Sequence, residues 1–238
     1  KAKEQGAEFV LSNAPVALRL GKINELAELC GTTVIAADAT SIEDLENLFD
    51  QATEKYGKLD FILHSIGMSP NVRKNKAYTE LNYDWFLKTL DISALSFHKV
   101  LQVAYQKDAL NEWSSVVALT YVAAQRTFPG YNDMAEAKAT LESIARSFGY
   151  HYGTKKNVRV NTISQSPTMT TAGSGVKGFD VFYDYANKLS PLGNASSDSC
   201  ADFTIALFSD LTRMVTMQNL FHDGGFSSIG MTEAFMGE

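Results

Sequence analysis

The chain has 238 residues, of which 45% are hydrophobic, and this is enough apolar material for one sizeable core in a single domain spanning 1–238. Lys and Arg total 21 against 27 Asp and Glu, and the net charge of −6 argues against a nucleic-acid-binding protein. No apolar stretch has the length of a membrane span and no signal peptide opens the chain, so we expect a cytoplasmic protein without a membrane partner. Cys30 and Cys200 lie far apart without metal-ligand spacing, which predicts buried free thiols and no metal site.

Strand-like and helix-like segments alternate along the chain, which is typical of a parallel sheet covered by helices on both faces. The predicted fold class is therefore α/β, with a doubly wound, Rossmann-type sheet. The predicted strands cover 9–12, 33–37, 61–64, 116–119, 158–163 and 217–221. The predicted helices cover 24–30, 41–56, 84–106, 134–148, 179–188 and 197–207, and Ser41 with Asp44 forms a capping box at the start of the second.

The first residues suggest that the fold begins late. Residues 1–5 have the pattern of a helix end, Gly6 that of its C-cap, and 9–12 that of the next strand. A strand and a glycine-rich turn should precede such a helix, so we expect the first strand and its phosphate-binding turn to be lacking. Without the backbone amides of that turn, pyrophosphate binding should be weak.

Two phenols and an ammonium are expected together at the carboxyl end of strand 116–119, where parallel sheets bind their ligands. Tyr121 follows that strand, and Tyr131 precedes Lys138 by seven residues. On one helix this separation is two turns, so the two side chains differ by roughly 20° around the axis and about 10 Å along it. The long lysine side chain leans back toward the tyrosine, which predicts that the two groups meet.

The charge of Lys138 would give this pair a chemical role. An ammonium about 4 Å from a phenol contributes roughly 4 kcal/mol at an effective dielectric of 20, enough to lower the phenol's pKa from about 10 to as little as about 7. Tyr131 would then donate a proton toward an oxygen that gains negative charge during the reaction. Alternatively, Tyr131 packs and Lys138 is a solvated helix charge, which the bare spacing favours and the nearby Tyr121 disfavours.

The loop after strand 61–64, Ser65-Ile66-Gly67, has the small residues of a tight turn over which a ligand can lie close to the backbone. Other polar residues near the predicted strand ends have simpler interpretations. Asp38 could only cap the turn that follows it, and Ser65 could only shape its own turn. We expect His64 and His222 to be hydrogen-bonded structural residues rather than acids.

One glycine-rich stretch, 173–178, fits the letter pattern G-x-G-x-x-G of a dinucleotide fingerprint. Its context does not fit, because the polar stretch 168–172 separates it from the preceding strand. Glycines beside a short apolar helix containing Phe179, Val181, Phe182 and Tyr185 favour a lid over an apolar substrate, at about 168–188. An ordinary surface loop with a packing helix is the alternative.

Four motifs follow one another along almost the whole chain. They are Ser65-Ile66-Gly67, Tyr121 with Tyr131-x6-Lys138, the stretch 167–179, and His222-Asp223-Gly224-Gly225-Phe226. Together they resemble the enoyl-(acyl carrier protein) reductases of bacterial fatty-acid synthesis, a divergent branch of the short-chain dehydrogenases. Ordinary short-chain dehydrogenases use Tyr-x3-Lys, whereas the fourth residue after Tyr131 here is Ala135.

The resemblance implies a role for individual residues. Tyr131 would hydrogen-bond the thioester carbonyl, Lys138 would hold the nicotinamide ribose, and Tyr121 would be a second active-site tyrosine, while Ser69 would lie near the substrate. The implied cofactor contacts are Asp38 and Ala39 for adenine, Ser65, Ile66 and Gly67 along the cofactor, and Thr168, Met169, Thr170, Thr171 and Ala172 beside nicotinamide and pyrophosphate.

The implied reaction is NADH-dependent reduction of the trans-2 double bond of an enoyl thioester carried by acyl carrier protein. NADPH is not excluded, because Ser12 and Asn13 offer no acidic group for a ribose 2′-hydroxyl and Arg19 could contact a 2′-phosphate. The family is typically tetrameric, and the final strand with the Phe226 tail has the character of subunit-contact material.

Two other functions stay open from the residues alone. The first is a catalytically silent nucleotide-binding or scaffold fragment, which kept the fold and lost the phosphate-binding turn. The second is a 3-ketoacyl reductase.

Overall fold

The computed structural model describes residues 1–19, 21–168 and 178–233. The strands in these ranges are all parallel, and they confirm the α/β class. They are β1 (Val10–Asn13), β2 (Thr33–Ala36), β3 (Leu59–His64), β4 (Leu110–Thr120), β5 (Arg159–Gln165) and β6 (Asn219–His222). β1 pairs only with β2, whereas β3, β4, β5 and β6 form a second sheet in that order, so the described strands do not join into one sheet.

Helices connect the strands and cover both faces of the larger sheet. They are α1 (Pro15–Leu18), α2 (Lys22–Cys30), α3 (Ile42–Tyr56), α4 (Pro70–Arg73), α5 (Tyr83–Leu90), α6 (Ser96–Gln106), α7 (Asp133–Lys156), α8 (Phe179–Leu189) and α9 (Ser197–Phe208). A π-helix, Asp91–Leu95, joins α5 to α6, so the long helix predicted at 84–106 contains a wide turn. Among the described residues, no helix is both long enough and apolar enough to cross a membrane.

Helix α3 begins where its capping residues predict. The Ser41 hydroxyl accepts a hydrogen bond from the Asp44 amide at 3.1 Å, which satisfies one free amide of the first turn. The Asp44 carboxylate does not complete a capping box, because it accepts from the Asp38 amide at 2.8 Å instead. Near the start of the chain, Gly6 ends a short 3₁₀ helix, Lys3–Gln5. Its φ of 82° is the left-handed conformation that its predicted role as a C-cap requires.

Helix α7 begins within one residue of its predicted start at 134 and continues beyond its predicted end at 148. It spans Asp133–Lys156, so Tyr131 lies outside it. Asn132 separates the tyrosine from the helix with a φ of 45° and a ψ of −136°, a strained backbone conformation for a residue other than glycine. The prediction that Tyr131 and Lys138 lie two turns apart on one helix face is therefore wrong, and a turn rather than a helix brings Tyr131 to its place.

The main core lies between the larger sheet and helices α3, α6 and α7. Val116, Val117 and Ala118 of β4 are all fully buried, which explains why this strand is apolar at consecutive positions. A second cluster on the other face joins Val117 and Ile163 to α9. Cys200 belongs to this cluster and is buried, whereas Cys30 is only half-buried, contrary to the expectation of two buried thiols.

Replacing Leu141 by Ala tests the main core. Leu141 is 0% exposed on α7, so its loss should leave a cavity and lower the free energy of unfolding by about 2–5 kcal/mol. Leu29→Ala is the matched control, because Leu29 is 84% exposed and should change that free energy by no more than about 0.5 kcal/mol. Urea denaturation measures both, and equal losses would contradict this description of the core.

Candidate active site

A cavity of about 440 Å³ opens at the carboxyl ends of β3, β4 and β5. Parallel strands converge there, so residues distant in sequence become neighbours. The predicted site residues among its lining are Ser65, Ile66, Gly67, Ser69, Tyr121, Tyr131, Lys138 and Thr168. The structure therefore brings together the three proposed catalytic residues, the loop after β3 and the proposed substrate neighbour Ser69.

Tyr121 and Tyr131 face each other at the cavity wall. Their ring centroids are 5.1 Å apart with an interplanar angle of 54°. Tyr121 directly follows β4, and Tyr131 follows Gly130, whose φ of 86° lets the chain turn toward α7. The two phenols come from opposite ends of one β4–α7 connection, and both reach the same space.

Lys138 enters the cavity from the second turn of α7. Its ammonium donates to the Leu119 carbonyl at 2.8 Å and to the Ile66 carbonyl at 3.5 Å. Burial lowers the pKa of Lys138 to about 8, and the nearby Glu142 carboxylate offsets part of this effect. Lys138 is therefore a buried cation held by backbone carbonyls, and the alternative of a solvated helix charge is wrong.

The expected electrostatic effect on Tyr131 is also wrong in direction. Burial raises the pKa of Tyr131, and burial together with Tyr131 and Asp223 raises the pKa of Tyr121. The cost of desolvating a phenolate exceeds any attraction to Lys138, whose own partners are the two carbonyls. Both phenols consequently stay protonated at neutral pH and can donate hydrogen bonds.

Gly67 lets its loop pack closely against α7. A Cβ at this position would lie 3.3 Å from the Met134 methyl carbon and 3.6 Å from the Lys138 nitrogen. Because that Cβ is missing, the loop lies directly against the buried ammonium, which can donate a hydrogen bond to a ribose in the cavity. These residues fit the nicotinamide end of the implied cofactor.

Ser69 lines the cavity, but its hydroxyl already has two protein partners. The hydroxyl donates to a buried carboxylate oxygen of Asp133 at 2.6 Å and accepts from the Val72 amide at 3.0 Å, as the N-cap of α4. A direct hydrogen bond from Ser69 to a ligand would break the first contact. The geometry favours Ser69 as part of the cavity wall.

The predicted adenine contacts lie apart from this cavity. Asp38 and Ala39 follow β2 in the smaller sheet, and neither lines the cavity. The Asp38 carboxylate accepts from the Thr40 amide at 2.9 Å and from the Thr40 hydroxyl at 2.8 Å, so it does cap the following turn. Four predicted cofactor contacts, Met169, Thr170, Thr171 and Ala172, lie outside the described residues, as does most of the 173–178 glycine stretch.

The two histidines are hydrogen-bonded structural residues, as predicted. His64 shares a 2.9 Å contact with the Ser96 hydroxyl, and burial followed by the charge of Lys138 lowers the pKa of His64 to about 3. His222 contacts Gln165 at 2.7 Å and the Ser199 hydroxyl at 3.1 Å, and burial also lowers its pKa. Neither ring is available as an acid at neutral pH.

Aromatic side chains extend the site toward the predicted lid, and one of them, Phe128, was not predicted from the sequence. Phe128 packs against Tyr121 at a centroid distance of 5.3 Å and against Phe182 of α8 at 6.2 Å. Phe179 and Phe182 line the cavity, whereas Val181, which we grouped with them, is 71% exposed. The helical spacing of Phe179 and Phe182 was a usable signal, but Phe128 stands in a loop without any periodic pattern.

Glu142 is a second buried residue that the sequence analysis did not identify. Its carboxylate accepts from the Thr120 hydroxyl at 2.9 Å and from two side-chain amides, those of Gln125 at 3.0 Å and Asn219 at 3.2 Å. It stands one turn after Lys138 on α7, where its negative charge favours the ammonium form of the lysine. The four-residue spacing of Lys and Glu was the available signal.

Comparison with known proteins gives the same family as the sequence motifs. A family model described as enoyl-(acyl carrier protein) reductase matches residues 1–227. An enoyl-(acyl carrier protein) reductase (NADH) 1 of Rhizobium meliloti is 32% identical over 96% of this chain and 83% of that protein. The corresponding Rickettsia typhi protein, FabI, is 30% identical over 98% of this chain and 88% of its own length.

A solved structure gives the same result at higher identity. The FabI–NADH complex of Alistipes finegoldii is 65% identical, with a TM-score of 0.96 over 98% of this chain and 82% of that one. The model match, the curated relatives and the shared fold agree with the cavity that Tyr121, Tyr131 and Lys138 line. The chain belongs to the enoyl-(acyl carrier protein) reductase family.

Proposed function

We propose that this protein reduces the trans-2 double bond of enoyl thioesters on acyl carrier protein, with NADH as reductant, in fatty-acid synthesis. The observation that carries the proposal is one cavity in which two protonated phenols and a buried ammonium meet at the ends of β3, β4 and β5. Relatives named for NADH and a 65% identical FabI–NADH complex support the choice of reductant.

Bound NADH would supply a hydride to C3 of the enoyl thioester. The resulting negative charge develops on the thioester oxygen, and the protonated Tyr131 phenol donates a hydrogen bond to it. Because burial raises the pKa of Tyr131, this phenol stabilises the enolate as a neutral donor rather than by proton loss. A proton taken up from solvent at C2 would complete the reduction.

Lys138 and the loop after β3 would hold the nicotinamide end. The Lys138 ammonium, fixed by the Leu119 and Ile66 carbonyls, can donate its remaining hydrogen to a ribose hydroxyl. Gly67, which has no Cβ, lets the loop lie in contact with Lys138. Tyr121 packs on Tyr131, so it would keep the Tyr131 ring in place and form one wall of the substrate space.

The remaining cofactor contacts follow from the resemblance. We assign Asp38 and Ala39 as contacts of the adenine, and Ser65, Ile66 and Gly67 as contacts along the cofactor. Residues 168–172 are assigned to the nicotinamide and the pyrophosphate. The acyl chain would pass between Phe128, Phe179 and Phe182, because apolar rings exclude water from the reacting carbons. The lid at about 168–188 would close over it.

Substitution of Tyr131 tests the reaction. The purified protein should oxidise NADH when given a trans-2-enoyl thioester, as followed by NADH absorbance. Tyr131→Phe should lower kcat by about 100-fold or more, because it removes a hydrogen bond made in the transition state. Tyr150→Phe is the matched control, since Tyr150 is an exposed phenol on α7 outside the cavity, and its kcat should equal that of the unaltered protein.

The same assay separates the alternatives. Turnover of a 3-ketoacyl thioester without turnover of the enoyl thioester would identify a 3-ketoacyl reductase. Failure of both reactions, together with failure to bind NADH, would identify a silent scaffold.

The lowered pKa of Lys138 predicts a pH dependence of NADH binding. Below about pH 8 the lysine is a cation with three donors, and above it the side chain loses a proton and its charge. NADH affinity of the free protein should therefore fall as the pH rises through about 8. Fluorescence titration measures this, and Lys138→Arg should remove the alkaline fall because arginine stays charged. The same fall in Lys138→Arg would assign it to another group.

A homotetramer in the cytoplasm is the expected working form, as the family resemblance implies. Tyr83 and Leu87 stand one turn apart on α5 and are both exposed, which leaves apolar surface for a subunit contact. Light scattering should give four times the chain mass of 26.1 kDa. Leu87→Glu should lower that mass, whereas Leu29→Glu on α2 should not, and a monomeric unaltered protein would contradict the tetramer.

A further inference from the structure

The turn that follows Tyr131 is anchored by two successive side chains. The Asn132 side-chain amide donates to the Lys76 carbonyl at 2.7 Å, and Asn132 adopts a φ of 45°, which costs about 1 kcal/mol or more. Asp133, the first residue of α7, is 0% exposed. Both residues reach the same segment of the chain, 69–89, so the position of Tyr131 is tied to that segment.

The Asp133 carboxylate accepts hydrogen bonds from three side chains. Ser69 donates to one oxygen at 2.6 Å, while Asn71 at 2.9 Å and Thr89 at 2.7 Å donate to the other. None of these recorded partners is cationic, so a buried carboxylate is held by neutral donors and by the start of a helix. Burying a carboxylate costs free energy of folding, and a well-packed apolar side chain at the same place would cost less. Stability alone therefore does not explain a carboxylate at this position.

The three donors organise the cavity wall that faces Tyr131. Ser69 caps α4 and lines the cavity together with Met68 and Val72. Asn71 holds the backbone of Asn82 through two hydrogen bonds, of 3.1 and 3.0 Å, and Asn82 is the N-cap of α5. Through one carboxylate, the loop after β3, the start of α5 and the start of α7 share a fixed arrangement.

We propose that Asp133 is a positioning residue for the reduction: it sets the distance between the Tyr131 phenol and the wall formed by Met68, Ser69 and Val72. The inference rests on the proposed function, because the substrate carbonyl would lie between these two surfaces. Asp133 itself does not line the cavity, so it acts through Tyr131 and Ser69. The wall lies on the substrate side, so the effect falls on the enoyl thioester more than on NADH.

The number of acceptor positions matters more than the negative charge. In Asp133→Asn the amide oxygen can accept from Asn71 and Thr89, and the amide nitrogen can donate to Ser69, whose oxygen has a second lone pair. In Asp133→Val, Ser69 and Asn71 each lose an acceptor, and the Thr89 hydroxyl is left with the Trp85 carbonyl at 2.8 Å. The two variants have similar size and differ in hydrogen bonding, which makes them a matched pair.

Steady-state kinetics of the full chain test the proposal. Asp133→Val should lower kcat/KM for the enoyl thioester about tenfold or more, with the KM for NADH within about twofold. Asp133→Asn should stay within about threefold of the unaltered protein on both substrates. Thr89→Val, which removes one donor, should give a smaller loss in the same direction and serves if Asp133→Val does not fold.

Hydrogen exchange gives a readout that does not depend on activity. Exchange in 68–73 and 131–137 should quicken in Asp133→Val and stay unchanged in Asp133→Asn. Unchanged kcat/KM in Asp133→Val, equal losses for NADH and enoyl thioester, or equal damage by both variants would overturn the inference. If the unaltered protein reduces no enoyl thioester, the proposed function fails, and hydrogen exchange alone decides whether Asp133 fixes the two segments.

Discussion

The ammonium of Lys138 is the contact on which the site is built. It bonds the Leu119 carbonyl near the end of β4 and the Ile66 carbonyl after β3, and it is itself fixed to α7. Two neighbouring strand ends and one helix thus meet at a single buried cation. Desolvation destabilises the charged form of Lys138, which lowers its pKa. The two carbonyls and the Glu142 carboxylate offset part of this effect. The shape of the cavity follows from where these carbonyls must be.

Much of the fold could be predicted from the sequence because buried parallel strands and amphipathic helices leave strong patterns. The run from Val116 to Ala118 is apolar at every position since both faces of β4 are covered. The π-helix Asp91–Leu95 could not be predicted, because a helical turn that is one residue wider has no distinctive sequence pattern. Tyr131 was wrongly placed on the helix face of Lys138 for a related reason, since only the backbone of Asn132, with its positive φ, takes Tyr131 out of the helix.

The site residues that belong to a sequence motif could be predicted, whereas contacts between residues far apart in the sequence could not. Tyr121, Tyr131, Lys138 and the loop after β3 do line one cavity, as their motifs indicated. The predicted direction of the Tyr131 pKa shift was wrong. A sequence shows that a lysine and a tyrosine are a few residues apart, but it does not show how far burial removes each side chain from water. Asp133 gave no motif at all, since its partners Ser69, Asn71 and Thr89 lie 44 to 64 residues away.

The wide turn between α5 and α6 also affects how the loop over the cavity responds to a ligand. Ser93 lies within that turn, and its hydroxyl accepts from the Met68 amide at 2.9 Å and donates to the Met68 carbonyl at 3.1 Å. One serine thereby gives both polar groups of a loop residue a protein partner. When an acyl chain displaces solvent from the cavity, neither the amide nor the carbonyl of Met68 is left without a hydrogen bond.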